Sequence, residues 1–264
     1  MKIYPSNQTL EFWSQNYFTD FDLFFVNNIP FKNEHASITS KDSFKESSSF
    51  DIKTNNLYEF WNLNDYNYVI QSTKGWFEQL ECEIQEYIIK EQCRVNNPLF
   101  FKTNLITLNS WYQLSKPFKV QFFNDRIEEY QDNVVPLHLK VTLPDYLNSI
   151  VNTFPLHQGS NCLSTVLYAI TEDLDILDQW IKEDSFLNTL NILGYTKSSE
   201  PSKKGDIIVY SNNKSIIHAS YQVEDELFIN KNGQTIFNPY KLITIADLEK
   251  NWGMYNKHVY RQQH

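Results

Sequence analysis

A cysteine placed where a helix should begin is the feature that most limits how this chain can fold. Residues 157–161 read His-Gln-Gly-Ser-Asn and lead directly into Cys162. Small polar residues of this kind cap the N-terminus of a helix, so Cys162 is predicted to be the first helical residue. The apolar residues after it recur at helical spacing: Leu163, Val166, Leu167 and Ile170. One side of this helix must therefore be buried against a core.

The predicted position of Cys162 bears on its chemistry. The N-terminal end of a helix favours negative charge, and its unpaired N–H groups stabilise the thiolate that acts as a nucleophile. Cys162 is therefore a candidate nucleophile. The alternative is a small buried core residue, which is the commoner role of a lone cysteine.

The pattern changes from helical spacing to alternation in the last quarter of the chain. Helical segments are predicted at 174–181 and 186–193, the second ended by Gly194. Three apolar runs separated by polar turns then predict an antiparallel meander: 207–210, 216–223 and 226–230. Asn232-Gly233 predicts a hairpin into a fourth strand at 234–237, followed by a helical turn at 247–252 and a closing strand at 258–260. Helices followed by a sheet indicate an α+β fold.

Two polar residues in the meander complete a candidate site. His218 lies within the second run and Asn230 ends the third. A thiol, an imidazole and a side-chain amide suit amide-bond chemistry, because the imidazole accepts the thiol proton while the amide fixes the ring. Gln158 and the Cys162 N–H would stabilise the developing oxyanion. The alternatives are that His157 is the base, that His218 is a core histidine and that Gln158 is a loop amide.

The turn at 224–226 decides which amide can face His218. A three-residue turn, Glu224-Asp225-Glu226, places Ser220 opposite Asn230 and His218 opposite Asn232, so both asparagines share the face of His218. A two-residue turn, Glu224-Asp225, places His218 opposite Lys231 and directs both asparagines away. We predict the first register, with Asn230 as the orienting residue and Asn232 as the fallback.

Together these features resemble the NlpC-type branch of the papain-like cysteine peptidases. The resemblance covers residues 155–262 and depends on the helix-borne Cys162, the Lys204-Gly205-Asp206 turn, His218 on the second strand and a polar residue twelve positions later. It implies a papain-like domain over residues 151–264, with helices packed on an antiparallel sheet and a site formed by Cys162, His218 and Asn230. The chain departs from the family at Asn161 and Leu163, where an acidic and a small residue are usual. The family's cell-wall peptide substrate is therefore not carried over.

Residues 1–150 predict a mixed α+β region. The expected elements are a helix with a strand or short strands in 1–31, a polar loop at 32–56, an amphipathic helix at 74–92, strands at 105–108, 119–123 and 134–141, and a short helix after Pro144. This region is rich in aromatic residues and contains no nucleophile constellation. We expect it to recognise the substrate or to form a wall of the cleft.

Composition excludes several classes of partner. A net charge of −9 opposes binding to nucleic acid, and no apolar run of about 18 residues predicts a membrane span. The first residues lack a signal sequence, and three cysteines without a CxxC pair fit a reducing compartment, so we expect a cytoplasmic protein. No cofactor motif occurs, and Cys162 with two histidines lacks a fourth zinc ligand, so no cofactor and no metal are expected. The sequence does not indicate an oligomeric state.

The sequence therefore predicts a cysteine hydrolase that cleaves an amide or peptide bond through a thioester at Cys162. The same thioester could transfer its acyl group to an amine or alcohol, which would make the protein an acyltransferase. A third interpretation is a papain-like domain that binds without catalysis. The expected substrate is a peptide or a small molecule with an amide or acyl group.

Overall fold

The computed structural model describes residues 2–31, 35–130 and 142–263. The chain divides into two compact units, called here the N-terminal unit (residues 11–122) and the C-terminal unit (residues 123–264 together with the first ten residues). The sequence patterns predict a division at residue 150. In the structure Leu147 and Ile150 pack in the core of the C-terminal unit, so this segment belongs with the cysteine helix.

The N-terminal part of the chain contains short helices and small antiparallel sheets. Its helices are α1 (Asn7–Asn16), α2 (Lys41–Lys45), α3 (Ile52–Leu57), α4 (Cys82–Arg94), α5 (Leu108–Gln113) and α6 (Lys116–Tyr130). Its strands are β1 (Asp22–Val26), β2 (Ala36–Ser40), β3 (Tyr68–Ser72), β4 (Phe100–Phe101) and β5 (Asn104–Leu105). The first three form a sheet in the order β1-β3-β2, and the last two pair with each other.

Several elements predicted in this half are wrong. The expected loop at 32–56 contains β2, α2 and α3, because Ser40 and Asp51 cap the two helices with their side-chain oxygens. No strand of the expected length forms at 105–108, where β5 ends at Leu105 and α5 begins at Leu108, or at 119–123, which lies within α6. Thr107 forms a capping box with Ser110 and starts a helix at Leu108, where apolar residues suggested a strand.

Other predictions for this half are confirmed. Residues 2–31 contain a helix and a strand, and a helix follows Pro144. The amphipathic helix at 74–92 is present as α4, which starts later, after a 3₁₀ turn at Phe77–Gln79. The strand predicted at 134–141 lies outside the described residues.

The C-terminal unit places one antiparallel sheet between helices. Its helices are α7 (Asp145–Ile150), α8 (Cys162–Thr171), α9 (Leu174–Leu177), α10 (Glu183–Ile192) and α11 (Ile245–Trp252). Its strands are β6 (Tyr195–Ser198), β7 (Ile207–Ser211), β8 (Ile216–Glu224), β9 (Leu227–Asn230), β10 (Lys241–Thr244) and β11 (Asn256–Gln262). The sheet order is β10-β9-β8-β7-β11-β6, with every paired strand antiparallel. The predicted α+β class is therefore confirmed.

The three-strand meander, the helix at 247–252 and the closing strand are confirmed, but the fourth strand is not where it was predicted. Residues 234–237 form turns that Asn238 closes by accepting hydrogen bonds from the backbone N–H and the hydroxyl of Thr235. The strand after β9 is instead β10, which begins at Lys241, seven residues after the predicted start at residue 234. The edge strand β6 was not predicted.

Each face of this sheet is covered by a different helix. On one face, α8 packs Leu163, Val166 and Leu167 against a group of strand residues: Ile207, Val209 and Ala219. On the other face, α11 packs Leu248 and Trp252 against a second group: Ile208, Tyr210, Phe228 and Ile243. None of the helices in the described ranges is long and apolar enough to cross a membrane.

Candidate active site

Cys162 opens α8, as predicted, because Asn161 caps the helix. The Asn161 side chain accepts a hydrogen bond from the Ser164 N–H, and the Ser164 hydroxyl accepts one from the Asn161 N–H, each at 2.9 Å. This reciprocal capping box fixes the start of the helix. The Cys162 side chain is half-buried at that position.

The turn before Cys162 is tightly packed and requires glycine. Gly159 has φ +140°, and a Cβ at this position would lie 2.6 Å from the backbone oxygen of Asp178. Ser160 is buried and accepts a 2.7 Å hydrogen bond from the Tyr240 hydroxyl. The turn at Gly159 and Ser160 is therefore fixed by the Asp178 backbone on one side and by Tyr240 on the other.

Gln158 lies in this turn and has unsatisfied polar atoms. Its amide nitrogen and oxygen are both buried, and neither finds a hydrogen-bond partner among the described residues. Leaving such groups unpaired costs about 1 to 3 kcal/mol each. Within the described part of the chain, both atoms therefore lack the hydrogen bonds that buried amides normally make.

His218 is held by Asn230 in a buried polar cluster. Asn230 Oδ1 lies 2.6 Å from His218 Nε2 and also accepts a 2.7 Å hydrogen bond from the Ser220 hydroxyl. Asn230 Nδ2 in turn donates to Asn232 Oδ1 at 2.7 Å. Because an amide oxygen only accepts, Nε2 carries the ring proton and Nδ1 is the basic nitrogen. Trp252 covers the ring, with centroids 4.4 Å apart and planes 7° apart.

The register predicted for this hairpin is confirmed, although the turn differs. Tyr221 lies opposite Ile229 and Gln222 opposite Phe228, so Ser220 falls opposite Asn230, as expected. The turn has two residues, Asp225 and Glu226, since Glu224 is opposite Leu227. A bulge at residue 223 supplies the extra residue that restores the predicted register.

Cys162 and His218 approach strand β8 from opposite faces. His218 is directly opposite Tyr210, which packs in the core under α11, whereas Ala219 packs under α8. The Cys162 sulfur reaches the strand itself, where it accepts a hydrogen bond from the backbone N–H of Ala219. The thiol therefore lies at the edge of β8, at the backbone N–H of the residue that follows His218.

This contact is possible because β8 and β9 separate there. Gln222 directs its N–H and C=O towards the β7 side, bonding Asp206 and Gly205. Alternation then directs the Ala219 N–H towards β9. The β8–β9 ladder ends at Tyr221 and Ile229, so this N–H faces the gap that the thiol enters.

Cys162 and His218 are both neutral near pH 7. Burial raises the pKa of the Cys162 thiol, against the opposing effects of the Ala219 N–H, the Lys231 charge and the N–H groups of Leu163 and Cys162. Burial lowers the pKa of His218 to about 4, while the Asn230 hydrogen bond raises it and the charge of Lys241 lowers it. A neutral thiol and a neutral imidazole are therefore the forms present near pH 7.

Lys231 is the site residue that sequence reasoning missed. It is completely buried, and its Nζ donates to the backbone oxygens of Gly233 at 3.1 Å and Thr235 at 2.9 Å. Burial lowers its pKa to about 7, and the charge of Cys162 acts in the opposite direction. The available signal was the favoured register, which places Lys231 opposite Ala219 and on the face covered by α8.

Other residues named from the sequence have different surroundings. His157, the alternative base, is exposed, and its charge acts on Asp178. Asp206 of the Gly-Asp turn is buried and accepts hydrogen bonds from Arg261 at 2.7 and 3.0 Å, which gives it a structural role. Cys82 and Cys93 are exposed in α4.

Metal ligands and known relatives give no further assignment. Across residues 2–31, 35–130 and 142–263, no three His, Cys, Asp or Glu side chains are grouped so as to hold a metal ion. Comparisons of the chain with protein-family models, with curated proteins and with solved structures gave no match in any of the three.

Proposed function

We propose that the C-terminal unit is a cysteine-dependent hydrolase that cleaves an amide or peptide bond through a thioester at Cys162. The observation that carries this proposal is the 2.6 Å hydrogen bond from His218 to Asn230, made beside the strand edge where the Cys162 sulfur is held. An imidazole fixed by an amide next to a helix-borne thiol is the arrangement that nucleophilic acyl transfer requires.

The chemistry proceeds by general-base catalysis. Because thiol and imidazole are both neutral, His218 Nδ1 takes the thiol proton as the sulfur attacks the carbonyl carbon. The same nitrogen then returns the proton to the leaving amine, and water hydrolyses the thioester. This mechanism requires Nδ1 to reach the thiol at the edge of β8, while Asn230 and Trp252 keep the ring in place.

The negative charge that develops on the carbonyl oxygen needs donors that are already in position. We assign this role to the backbone N–H of Cys162 and to Nε2 of Gln158. The buried, unpaired amide of Gln158 supports the assignment, because a substrate oxygen would satisfy it.

A papain-like fold for this unit is part of the proposal. It is supported by the element order, in which a capped helix begins at the cysteine, and the histidine and asparagine follow on adjacent strands. We keep an acyltransferase as the variant in which an amine or alcohol replaces water, and a peptide or small acyl compound as the substrate. The N-terminal unit is proposed to select that substrate.

A binding domain without catalysis is the second candidate, and one observation favours it. The low pKa of His218, about 4, makes it a weak base, and the raised pKa of Cys162 makes the thiol a weak nucleophile. Under this alternative, Cys162 and His218 are core residues beside a ligand groove.

Acylation by an activated ester separates these functions. The full chain is incubated with p-nitrophenyl acetate, quenched in acid, and the acetyl adduct is mapped by peptide mass spectrometry. The hydrolase predicts a hydroxylamine-labile thioester at Cys162 that His218→Ala abolishes, with matched folding by circular dichroism. Labelling that is equal in wild type and His218→Ala, or absent at Cys162, would favour the binding domain. Adding an acceptor amine then tests whether transfer outcompetes hydrolysis.

A further inference from the structure

We propose that Lys231 is the charge partner of Cys162: its buried ammonium stabilises the thiolate that forms when the neutral thiol loses its proton. The inference depends on the proposed function only in that both use Cys162 as the reactive group. It assigns the acidity of the thiol to Lys231 and leaves His218 as the base that acts during attack. Lys231 is therefore a positioning residue that acts through the sulfur.

The register places Lys231 beside the sulfur. Asn230 turns its side chain to His218, so the next residue along the chain directs its side chain to the opposite face, which α8 covers. In a continued ladder Lys231 would lie opposite Ala219, and the Ala219 N–H is the one that Cys162 occupies. Sequence alternation thus places the ammonium and the thiol on the same side of the sheet, where the charge of each acts on the pKa of the other.

Apart from Cys162, the described groups around Lys231 do not neutralise the charge of its ammonium. Lys231 is 0% exposed, and two of its N–H groups bind the carbonyl oxygens of Gly233 and Thr235. Carbonyls orient an ammonium but do not neutralise it. A buried ammonium is costly unless it is paired with an anion. Within the described residues, Cys162 is the ionisable group whose charge acts on Lys231.

The nearby titratable groups divide between the two faces of the sheet. Cys162 and Lys231 share the α8 side, whereas His218 and Lys241 share the other, where Lys241 lies opposite Asn230. Lys241 acts on the pKa of His218, and Lys231 acts on that of Cys162. The two buried lysines therefore influence different members of the site.

The test measures thiol acidity and does not depend on turnover. Iodoacetamide labelling of Cys162 is followed against pH in the full chain by peptide mass spectrometry. Lys231→Met should raise the midpoint by at least about one pH unit, which slows labelling at pH 7 by about tenfold, and Lys231→Arg should restore much of the rate. Lys241→Met, a matched loss of a buried lysine, should leave the midpoint unchanged.

Cys82 provides an internal control, because it also begins a helix but is exposed in α4. Its labelling should be the same in every variant. Equal midpoints for Cys162 in wild type and Lys231→Met would overturn the proposal, as would an equal upward change in Lys241→Met.

A second measurement applies where Lys231→Met does not fold. Coupling between two sites is reciprocal, so Cys162→Ala should lower the pKa of Lys231, followed by NMR of isotope-labelled lysine. An unchanged Lys231 titration would overturn the inference. Thiol acidity that depends on Lys231 without ester acylation would instead contradict only the proposed hydrolase, so the two proposals fail separately.

Discussion

Replacing Asn230 by aspartate should move the titration of His218 in a direction that the structure specifies. The wild-type imidazole has a pKa of about 4, because burial disfavours its charged form more than the Asn230 hydrogen bond supports it. In Asn230→Asp a carboxylate takes the position of the amide oxygen, 2.6 Å from Nε2. An opposite charge this close raises an imidazole pKa by about 1 to 3, which places the variant between roughly pH 5 and 7.

The change in the pKa of His218 should shift the pH dependence of activity in a definite direction. A base works only when deprotonated, so the rate of Cys162 acylation falls as the pH drops through the pKa of His218. The acid limb of the pH–rate profile should lie near pH 4 in wild type and at least about one pH unit higher in Asn230→Asp. Asn230→Ala, which removes the hydrogen bond that raises the pKa of His218, should move the limb downward and lower the plateau.

Two assays check this prediction independently. NMR titration of the His218 ring protons reports the pKa directly, and ester acylation at Cys162 reports its effect on rate. Asn232→Ala is the matched control, because it shortens a neighbouring amide and leaves Asn230 Oδ1 on the ring; its titration should stay within about half a pH unit of wild type. A His218 pKa near 4 in Asn230→Asp would show that residue 230 does not control the ring, and the site assignment would then fail.

Three further substitutions test the supporting structure. Asp206→Ala should lower the free energy of unfolding by about 1.5 to 3 kcal/mol in urea titrations, because it removes the buried carboxylate that accepts hydrogen bonds from Arg261 and from the Lys203 N–H; an unchanged free energy of unfolding would contradict the structural role. Gly159→Ala should slow Cys162 acylation and destabilise the chain by about 1 to 3 kcal/mol, since its Cβ would meet the Asp178 backbone at 2.6 Å; unchanged acylation would separate the turn from the site. Asp22→Asn should stabilise the N-terminal unit by up to roughly 4 kcal/mol above pH 7 and have little effect below about pH 4. Burial raises the pKa of Asp22 from 3.8 to about 7, so wild-type stability falls as the pH rises through that window; a pH-independent difference in urea unfolding would refute this.

The parts of the fold that the sequence predicts well are those with local signals. Asn161 and Ser164 mark the start of α8 by a reciprocal cap, and the apolar spacing after Cys162 continues the helix. Short apolar runs between polar turns mark β7, β8 and β9, and these strands are largely buried because helices cover both faces of the sheet. The register between β8 and β9 was also predictable, since only one pairing brings Asn230 to the face of His218.

The parts that were missed depend on tertiary contacts. In α6, Phe122, Phe123 and Ile127 are completely buried. Val120, Phe122 and Phe123 form a short apolar run whose composition is also typical of a strand. Residue propensity does not distinguish a helix from a strand here, because the burial of these side chains in the folded chain determines which of the two forms. The expected strand at 234–237 failed similarly, since the side chain of Asn238 closes a turn there.

The relation between Cys162 and His218 could not be read from residue types alone. Alternation places His218 and Ala219 on opposite faces, but it does not say which face receives α8. Because α8 packs on the side of Ala219, the proposed nucleophile and its proposed base can meet only at a position that belongs to neither face. The edge of β8 is such a position, because backbone N–H groups lie in the plane of the sheet.

The end of the β8–β9 ladder is therefore the structural condition for this site. If pairing continued past Tyr221 and Ile229, the backbone of Lys231 would bind the Ala219 N–H, and the thiol would lose that donor. Separation of the strands leaves the N–H to the sulfur, and it lets the Lys231 side chain approach from the α8 side while Asn230 holds His218 from the other. Under the two proposals, a single break in pairing thus gives Cys162 a hydrogen-bond donor, a charge partner and a path to its proposed base.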